Sequence, residues 1–184
     1  MSKTTVNTVY LLVGPRGSGK STYGKKLVAG RQDLTMISRD EILVSQFGST
    51  DISPYSGGHQ FAKEEVSRLS RERLQSGESF VLDTWTGGGY ERQSLIMELR
   101  GGGATRVIAL YFITPVDFVR EWFWKKPGVA RLGEMGAKER MGFTFYLEET
   151  PERDHDLFHA LAAEIDSDGF DEVFRVNPLQ GLLF

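Results

Sequence analysis

The chain alternates short, almost wholly apolar runs with longer stretches in which apolar positions recur every three or four residues. The short runs, Thr8 to Val13, Leu34 to Ser38, Ser79 to Asp83, Arg106 to Ile113 and Glu172 to Asn177, are rich in Val, Ile, Leu and Phe with little polar alternation. That pattern predicts strands covered on both faces. Between them lie predicted helices over Gly19 to Ala29, Asp40 to Phe47, His59 to Gln75, Tyr90 to Arg100, Val116 to Lys125, Lys138 to Leu147 and Pro151 to Ile165. Strand and helix in alternation predict an α/β fold with a mainly parallel sheet. Two helix starts carry their own signals. In Thr114-Pro115-Val116-Asp117 a capping Thr precedes a Pro at the first helical position and an acid in the first turn, and Thr150-Pro151-Glu152 repeats the scheme.

Nothing divides this pattern into two units. The glycine clusters Gly87 to Gly89 and Gly101 to Gly103 are each bounded by a strand or helix pattern and read as loops, and no internal repeat interrupts the 184 residues. One domain over 1–184 is expected, of a size that buries roughly 70 % of its unfolded surface. The absence of cysteine excludes disulfide frameworks, thiolate metal sites and cysteine nucleophiles together. No basic segment followed by a secretory apolar core opens the chain, and no apolar run approaches the ~20 residues of a membrane helix, so a cytoplasmic protein without a membrane partner is expected. A net charge of −3 has the wrong sign for gripping nucleic acid over a broad surface.

The first strand runs straight into Gly14-Pro15-Arg16-Gly17-Ser18-Gly19-Lys20-Ser21-Thr22, which fits G-x-x-x-x-G-K-[ST] between a strand and a helix. Glycines there let successive backbone N–H groups turn inward around phosphates, and the helix beginning near Gly19 aims its positive end at them. Lys20 then reaches the β- and γ-phosphates and the Ser21 hydroxyl binds Mg²⁺. A dinucleotide fingerprint fails, because Thr22 stands where its third Gly or Ala belongs. The metal also needs a carboxylate. Asp83 closes the core strand "SFVLD" and fits as a direct Mg²⁺ ligand or an acceptor from its water shell; its other role is to cap the turn into Thr84. After the second strand, "ISRDEI" sets Arg39 and Asp40 at a strand end expected to lie beside the phosphate loop. A carboxylate there accepts the proton of an attacking hydroxyl, or serves only as an acid in the first turn of the next helix.

Together, "GPRGSGKST", "ISRDEI" and "VLDTWT" resemble the P-loop kinases of the polynucleotide 5′-kinase type and their small AAA-type ATP-binding relatives. The resemblance implies a three-layer α/β/α P-loop NTPase fold with a five-stranded, mainly parallel sheet and a small helical lid. It implies Asp40 as catalytic base, Lys20 and Ser21 as phosphate and metal residues, and Asp83 as the Walker B-type acid, with ATP and Mg²⁺ as cofactors. One position departs from it. Where the polynucleotide kinases carry an Arg three residues beyond the base, to hold the acceptor's phosphate, this chain has Leu43. That change, with the acidic net charge, argues against a nucleic-acid acceptor.

A kinase must shield the transferring group from water. The lid is expected around 120–136, in "FVREWFWKKPGVARLGEMG", where Arg120 or Arg131 could steady the transition state, while Lys125 and Lys126 also suit a helix end. The consecutive Trp122, Phe123 and Trp124 cannot share one buried stripe of a helix, which leaves a ring either to stack on a base or sugar or, the more usual fate, to pack under the lid. Arg39, Asp40, Asp83 and Trp85 are the expected acceptor-side residues, with His59 beside them. Arg68, Arg71 and Arg73 read as a solvated helix face, and the histidines show no metal-ligand spacing. No Asn-Lys-x-Asp guanine motif occurs, which favours ATP as donor, and Asn177-Pro178 is placed to approach its adenine.

Three function classes fit these residues: a kinase acting on a hydroxyl (a polynucleotide 5′-end, a nucleoside or nucleotide, or a small metabolite), a nucleotide-dependent switch, and a motor-type ATPase. The last fits worst, because little chain remains outside the core.

Overall fold

The computed structural model describes residues 6–50, 52–133 and 144–182. Five strands, β1 (Thr8–Val13), β2 (Leu34–Ser38), β3 (Ser79–Asp83), β4 (Arg106–Phe112) and β7 (Glu172–Val176), form a parallel sheet in the order β2-β3-β1-β4-β7. A short parallel pair, β5 (Val129–Arg131) with β6 (Thr144–Tyr146), stands apart from it. The helices are α1 (Lys20–Gly30), α2 (Arg39–Phe47), α3 (Gly58–Gln75), α4 (Gly89–Gly101), α5 (Val116–Trp124) and α6 (Thr150–Leu161).

β1 lies at the centre because its side chains are apolar in both directions. Val9, Leu11 and Val13 join a core with Val66 of α3, Ile96 of α4 and Phe158 of α6, whereas Leu12 joins Tyr23 and Leu27 of α1 on the opposite face. Successive side chains on a strand point to opposite faces, so an unbroken apolar run needs a helix layer on each side. The result is the three-layer α/β/α arrangement that the sequence implies. All strands of the main sheet run the same way. Their carboxyl ends therefore share one edge, where the loops after β1, β2 and β3 meet.

Four expectations change. β2 is not the neighbour of the phosphate-loop strand: β3 lies between them, so Asp83 is the closer carboxylate and Asp40 the further one. Thr114 does not cap α5, whose N-cap is Pro115; its hydroxyl is turned to the phosphate loop instead. The helix expected over Lys138 to Leu147 falls partly on residues outside the described ones, and Thr144–Tyr146 is strand. The helix from Pro151 ends at Leu161, and Ile165 opens a separate 3-10 turn. Of the lid segment, residues 134–136 lie outside the described residues, and the rest is the end of α5, a turn and β5.

Candidate active site

The loop from Gly14 to Gly19 is held from several sides. Gly17 and Gly19 take φ of 80° and 87°, a left-handed backbone that glycine adopts without strain. Neither has room for a side chain: a β-carbon on Gly17 would stand 2.8 Å from the Val119 carbonyl oxygen, and one on Gly19 2.9 Å from Trp122 Cζ3. Ser18 is fully buried and donates from its hydroxyl to Pro15 O at 2.8 Å. The buried Thr114 hydroxyl donates to Ser18 O at 2.8 Å, tying the loop to the end of β4. Trp122 of α5 and Pro178, just past β7, both approach Gly19 at the start of α1. Within the aromatic triplet, Phe123 is the buried ring and Trp122 and Trp124 are half-buried.

Lys20 Nζ donates to Gly14 O and Pro15 O, both at 2.7 Å. Burial pushes its pKa down to about 8; the charges of Lys126 and Arg16 act in the same direction, and those of Asp83 and Asp40 oppose them. A buried ammonium facing carbonyls, with two further cations near, is an environment that an anion would relieve. Ser21, in the first turn of α1, donates to Asp83 Oδ2 at 2.6 Å. Desolvation raises the Asp83 pKa against that hydrogen bond and the charge of Lys20. A hydroxyl and a carboxylate in contact are hard oxygen donors, the chemistry Mg²⁺ takes alongside substrate phosphates. These donors and the relieved ammonium fit a Mg²⁺–nucleotide.

Asp40 reaches the same space by a different route. β2 ends at Ser38, whose Oγ accepts from Glu41 N at 3.4 Å and caps α2, so Arg39 and Asp40 are its first residues. Arg39 is pinned by His59 at the start of α3: its Nη2 lies 2.6 Å from His59 Nδ1, and its Nη1 3.4 Å from Asp40 Oδ1. Accepting from a guanidinium requires the His59 tautomer protonated on Nε2. A cavity of about 630 Å³ is lined by Lys20, Ser21, Arg39, Asp40, Asp83 and Trp85 together. Trp85 is 63 % exposed and its indole covers Gly87, where a β-carbon would lie 2.6 Å from Cζ2.

The lid arginines lie elsewhere. Arg120 pairs with Asp117 at 2.8 Å and Glu152 at 2.5 Å, and Arg131 sits 4.5 Å over the Trp124 ring and pairs with Glu148. Among the described residues neither lines the cavity, which instead takes its further cations from Arg16 and Lys126. Lys126 is solvent-exposed along much of its length, yet desolvation of its ammonium lowers its pKa, with Asp40 opposing the shift. Arg68 pairs with Glu65 and Glu72 on a solvated face of α3, as the sequence predicts.

Sequence reasoning missed Arg92. It is 1 % exposed, the largest fully buried side chain among the described residues, and donates to Asp168 Oδ2 at 2.5 Å, to Thr86 O at 3.1 Å, to Gly87 O at 3.0 Å and to Leu161 O at 3.0 Å. It thereby ties the loop bearing Trp85 to the end of α6. Nothing in "YERQSL" marks it, because the carboxylate that pairs with it and its partner on α6 lie 76 and 69 residues away in sequence.

A family model described as an AAA domain matches residues 9–132. No curated protein matches the sequence. Among solved structures, the chain is similar to one in the Pnkp1/Rnl/Hen1 complex, with TM-score 0.57 and 13 % identity over 96 % of this chain and 80 % of that chain. A fungal RNA kinase is similar with TM-score 0.56 and 17 % identity, over 95 % of this chain and 76 % of that one. Shikimate kinase from Acinetobacter baumannii, in complex with shikimate, is similar with TM-score 0.53 and 19 % identity, over 94 % and 85 %. These likenesses are of fold, and the fold is that of the P-loop kinases.

Proposed function

The chain belongs to the AAA domain family, and we propose that it is an ATP- and Mg²⁺-dependent phosphotransferase that moves the γ-phosphate to a hydroxyl of a small acceptor. The observation that carries this reading is the single cavity lined by Lys20, Ser21, Asp83 and Asp40. A nucleotide switch needs the first three; a carboxylate facing the same space is what transfer adds. Asp40 accepts the acceptor's hydroxyl proton as the new O–P bond forms and the bond between the γ-phosphorus and the bridging oxygen breaks, leaving ADP.

Lys20 and the inward N–H groups of the loop bind the phosphates, and a phosphate beside Lys20 restores its charge. Ser21 and Asp83 would hold Mg²⁺, which when bound supplies positive charge to the phosphate oxygens. Trp122 and Pro178, flanking Gly19, suit a nucleobase stacked at the outer side of the loop. On the acceptor side, Arg39 offers one fixed cation and Trp85 an exposed ring. Leu43 is fully buried, so the position three beyond the base faces the core rather than an acceptor phosphate. The buried Leu43, where the polynucleotide kinases place a phosphate-holding Arg, and a net charge of −3 favour a small metabolite over a polynucleotide 5′-end. The switch reading keeps one observation of its own: Asp40 and Glu41 sit in the first turn of α2, where acids stabilise the helix regardless of catalysis.

The test is incubation with γ-labelled ATP and Mg²⁺ against sugars, cyclic polyols, nucleosides and 5′-hydroxyl oligonucleotides, with products identified by mass spectrometry. Label on one small acceptor supports the reading. Label on oligonucleotides alone would reverse the acceptor class, and tight ATP binding with no transfer to any member would move the protein to the switch class.

A further inference from the structure

The phosphate loop carries an arginine whose side chain the backbone cradle leaves unused. Arg16 stands between Pro15 and Gly17, and its guanidinium turns to α6, where Nε donates to Asp154 Oδ2 at 3.0 Å and Nη2 to the same oxygen at 2.5 Å. Nη1 donates to the Tyr146 hydroxyl of β6 at 3.2 Å, and the guanidinium carbon lies 5.2 Å from the centre of that ring. Arg16, Tyr146 and Asp154 line the same cavity as Lys20 and Ser21. Arg16 is also close enough for its charge to lower the pKa of both Lys20 and Lys126.

The pairing is one that a ligand can replace. Its side chains are 47 % and 19 % exposed, and a partly solvated ion pair of this kind is worth about 0–1 kcal/mol. A phosphate presents several anionic oxygens to a planar guanidinium and binds it in a bidentate, charge-assisted way. The Asp154 carboxylate meanwhile places negative charge at the wall of a cavity whose other features suit an anion. Neither Arg120 nor Arg131 lines this cavity, and nor do Glu152 and Glu148, with which they pair.

We propose that the Arg16 side chain is a ligand of the terminal phosphates of the nucleotide, held off by Asp154 and Tyr146 until a nucleotide arrives, so that binding frees Asp154 on α6 and Tyr146 on β6. The inference rests on the nucleotide-binding reading above. It makes Arg16 a catalytic residue of the transfer and makes Asp154 a positioning residue that acts through it. It also gives the phosphate loop a direct means of signalling its occupancy to two elements outside the main sheet.

The test is a double-mutant cycle read by calorimetric binding of ATP and of ADP, with Mg²⁺, to the wild type, Arg16→Ala, Asp154→Asn and the double variant. Asp154→Asn should tighten ATP binding several-fold, because the guanidinium no longer has to leave a carboxylate. Arg16→Ala should weaken it by roughly tenfold, the scale of one charge-assisted hydrogen bond, and more for ATP than for ADP. In the double variant the gain from Asp154→Asn should vanish, since nothing is left for the acid to hold; Arg16→Lys should fall between the wild type and Arg16→Ala. If Asp154→Asn still tightens binding without Arg16, the acid acts by simple repulsion and the exchange is overturned. If the wild type binds nucleotide and Arg16→Ala binds it equally, this inference alone fails. A wild type that binds neither nucleotide removes the reading beneath it as well.

Discussion

Replacing Arg92 with alanine removes the buried guanidinium that joins the loop after β3 to the end of α6. The native guanidinium is 1 % exposed and its carboxylate partner Asp168 7 % exposed, so neither charge has water to fall back on. Deletion leaves a buried carboxylate that keeps the hydrogen bond from Gln93 Nε2 at 3.3 Å, and strips a donor from the carbonyls of Thr86, Gly87 and Leu161. Breaking a buried pair from one side costs about 3–5 kcal/mol. For a domain of this length each kcal/mol moves the melting midpoint by about 2–4 °C, so the expected loss is roughly 6–20 °C. Denaturant and thermal unfolding followed by circular dichroism measure it. Arg92→Met combined with Asp168→Leu should recover part of the loss by removing the orphaned carboxylate, yet stay below the wild type because the carbonyls remain unpaired. A loss under about 1 kcal/mol for Arg92→Ala, or a double variant no more stable than the single one, would refute the reasoning.

Three further predictions concern the phosphate loop and the ring beside it. With the Lys20 pKa near 8 in the free protein and raised by a bound phosphate, ATP affinity should be full below about pH 8 and fall as pH rises through it, with protons taken up on binding; calorimetry in buffers of different ionisation enthalpy reads the uptake, and pH-independent affinity across that range would contradict it. The same depressed pKa means that the unfolded chain, with Lys20 near 10.5, binds more protons than the folded one between about pH 8 and 10.5, so this group adds stability as pH rises through that window. Trp122→Ala should lose about 1–3 kcal/mol of ATP binding, the usual worth of an aromatic–base stack, and leave inorganic triphosphate binding unchanged; equal losses for both ligands would remove the stacking role.

The parts of the site readable in the sequence are those whose chemistry is local. The phosphate loop is legible because its glycine turns and the contacts of Lys20 to Gly14 O and Pro15 O lie close together in sequence, and β1, β2 and β3 have the bounds their apolar runs predict. Asp83 is legible as the last residue of a buried apolar strand, although its hydrogen bond from Ser21 spans 62 residues. What the sequence hid depends on tertiary placement. Thr114 has the pattern of a helix cap, but the nearby Ser18 carbonyl takes its hydroxyl. Arg120 and Arg131 have the composition of lid cations, yet acids on α6 and beside β6 engage them outside the cavity, while Arg16 lines it from one of the unspecified positions of the loop motif. Sheet order was equally beyond local pattern, since no apolar run records that β3 inserts between β2 and β1.

The central claim, that Asp40 makes a kinase of a nucleotide-binding fold, is tested most directly by Asp40→Asn assayed in parallel for phosphoryl transfer and for ATP binding. The exchange keeps the size of the side chain and its place at the start of α2 while removing the base. Loss of transfer by roughly 10²–10⁴-fold, the usual contribution of general-base catalysis, with the ATP dissociation constant little changed, is the predicted result. Transfer that continues undiminished, or that falls only as far as ATP binding falls, would contradict it.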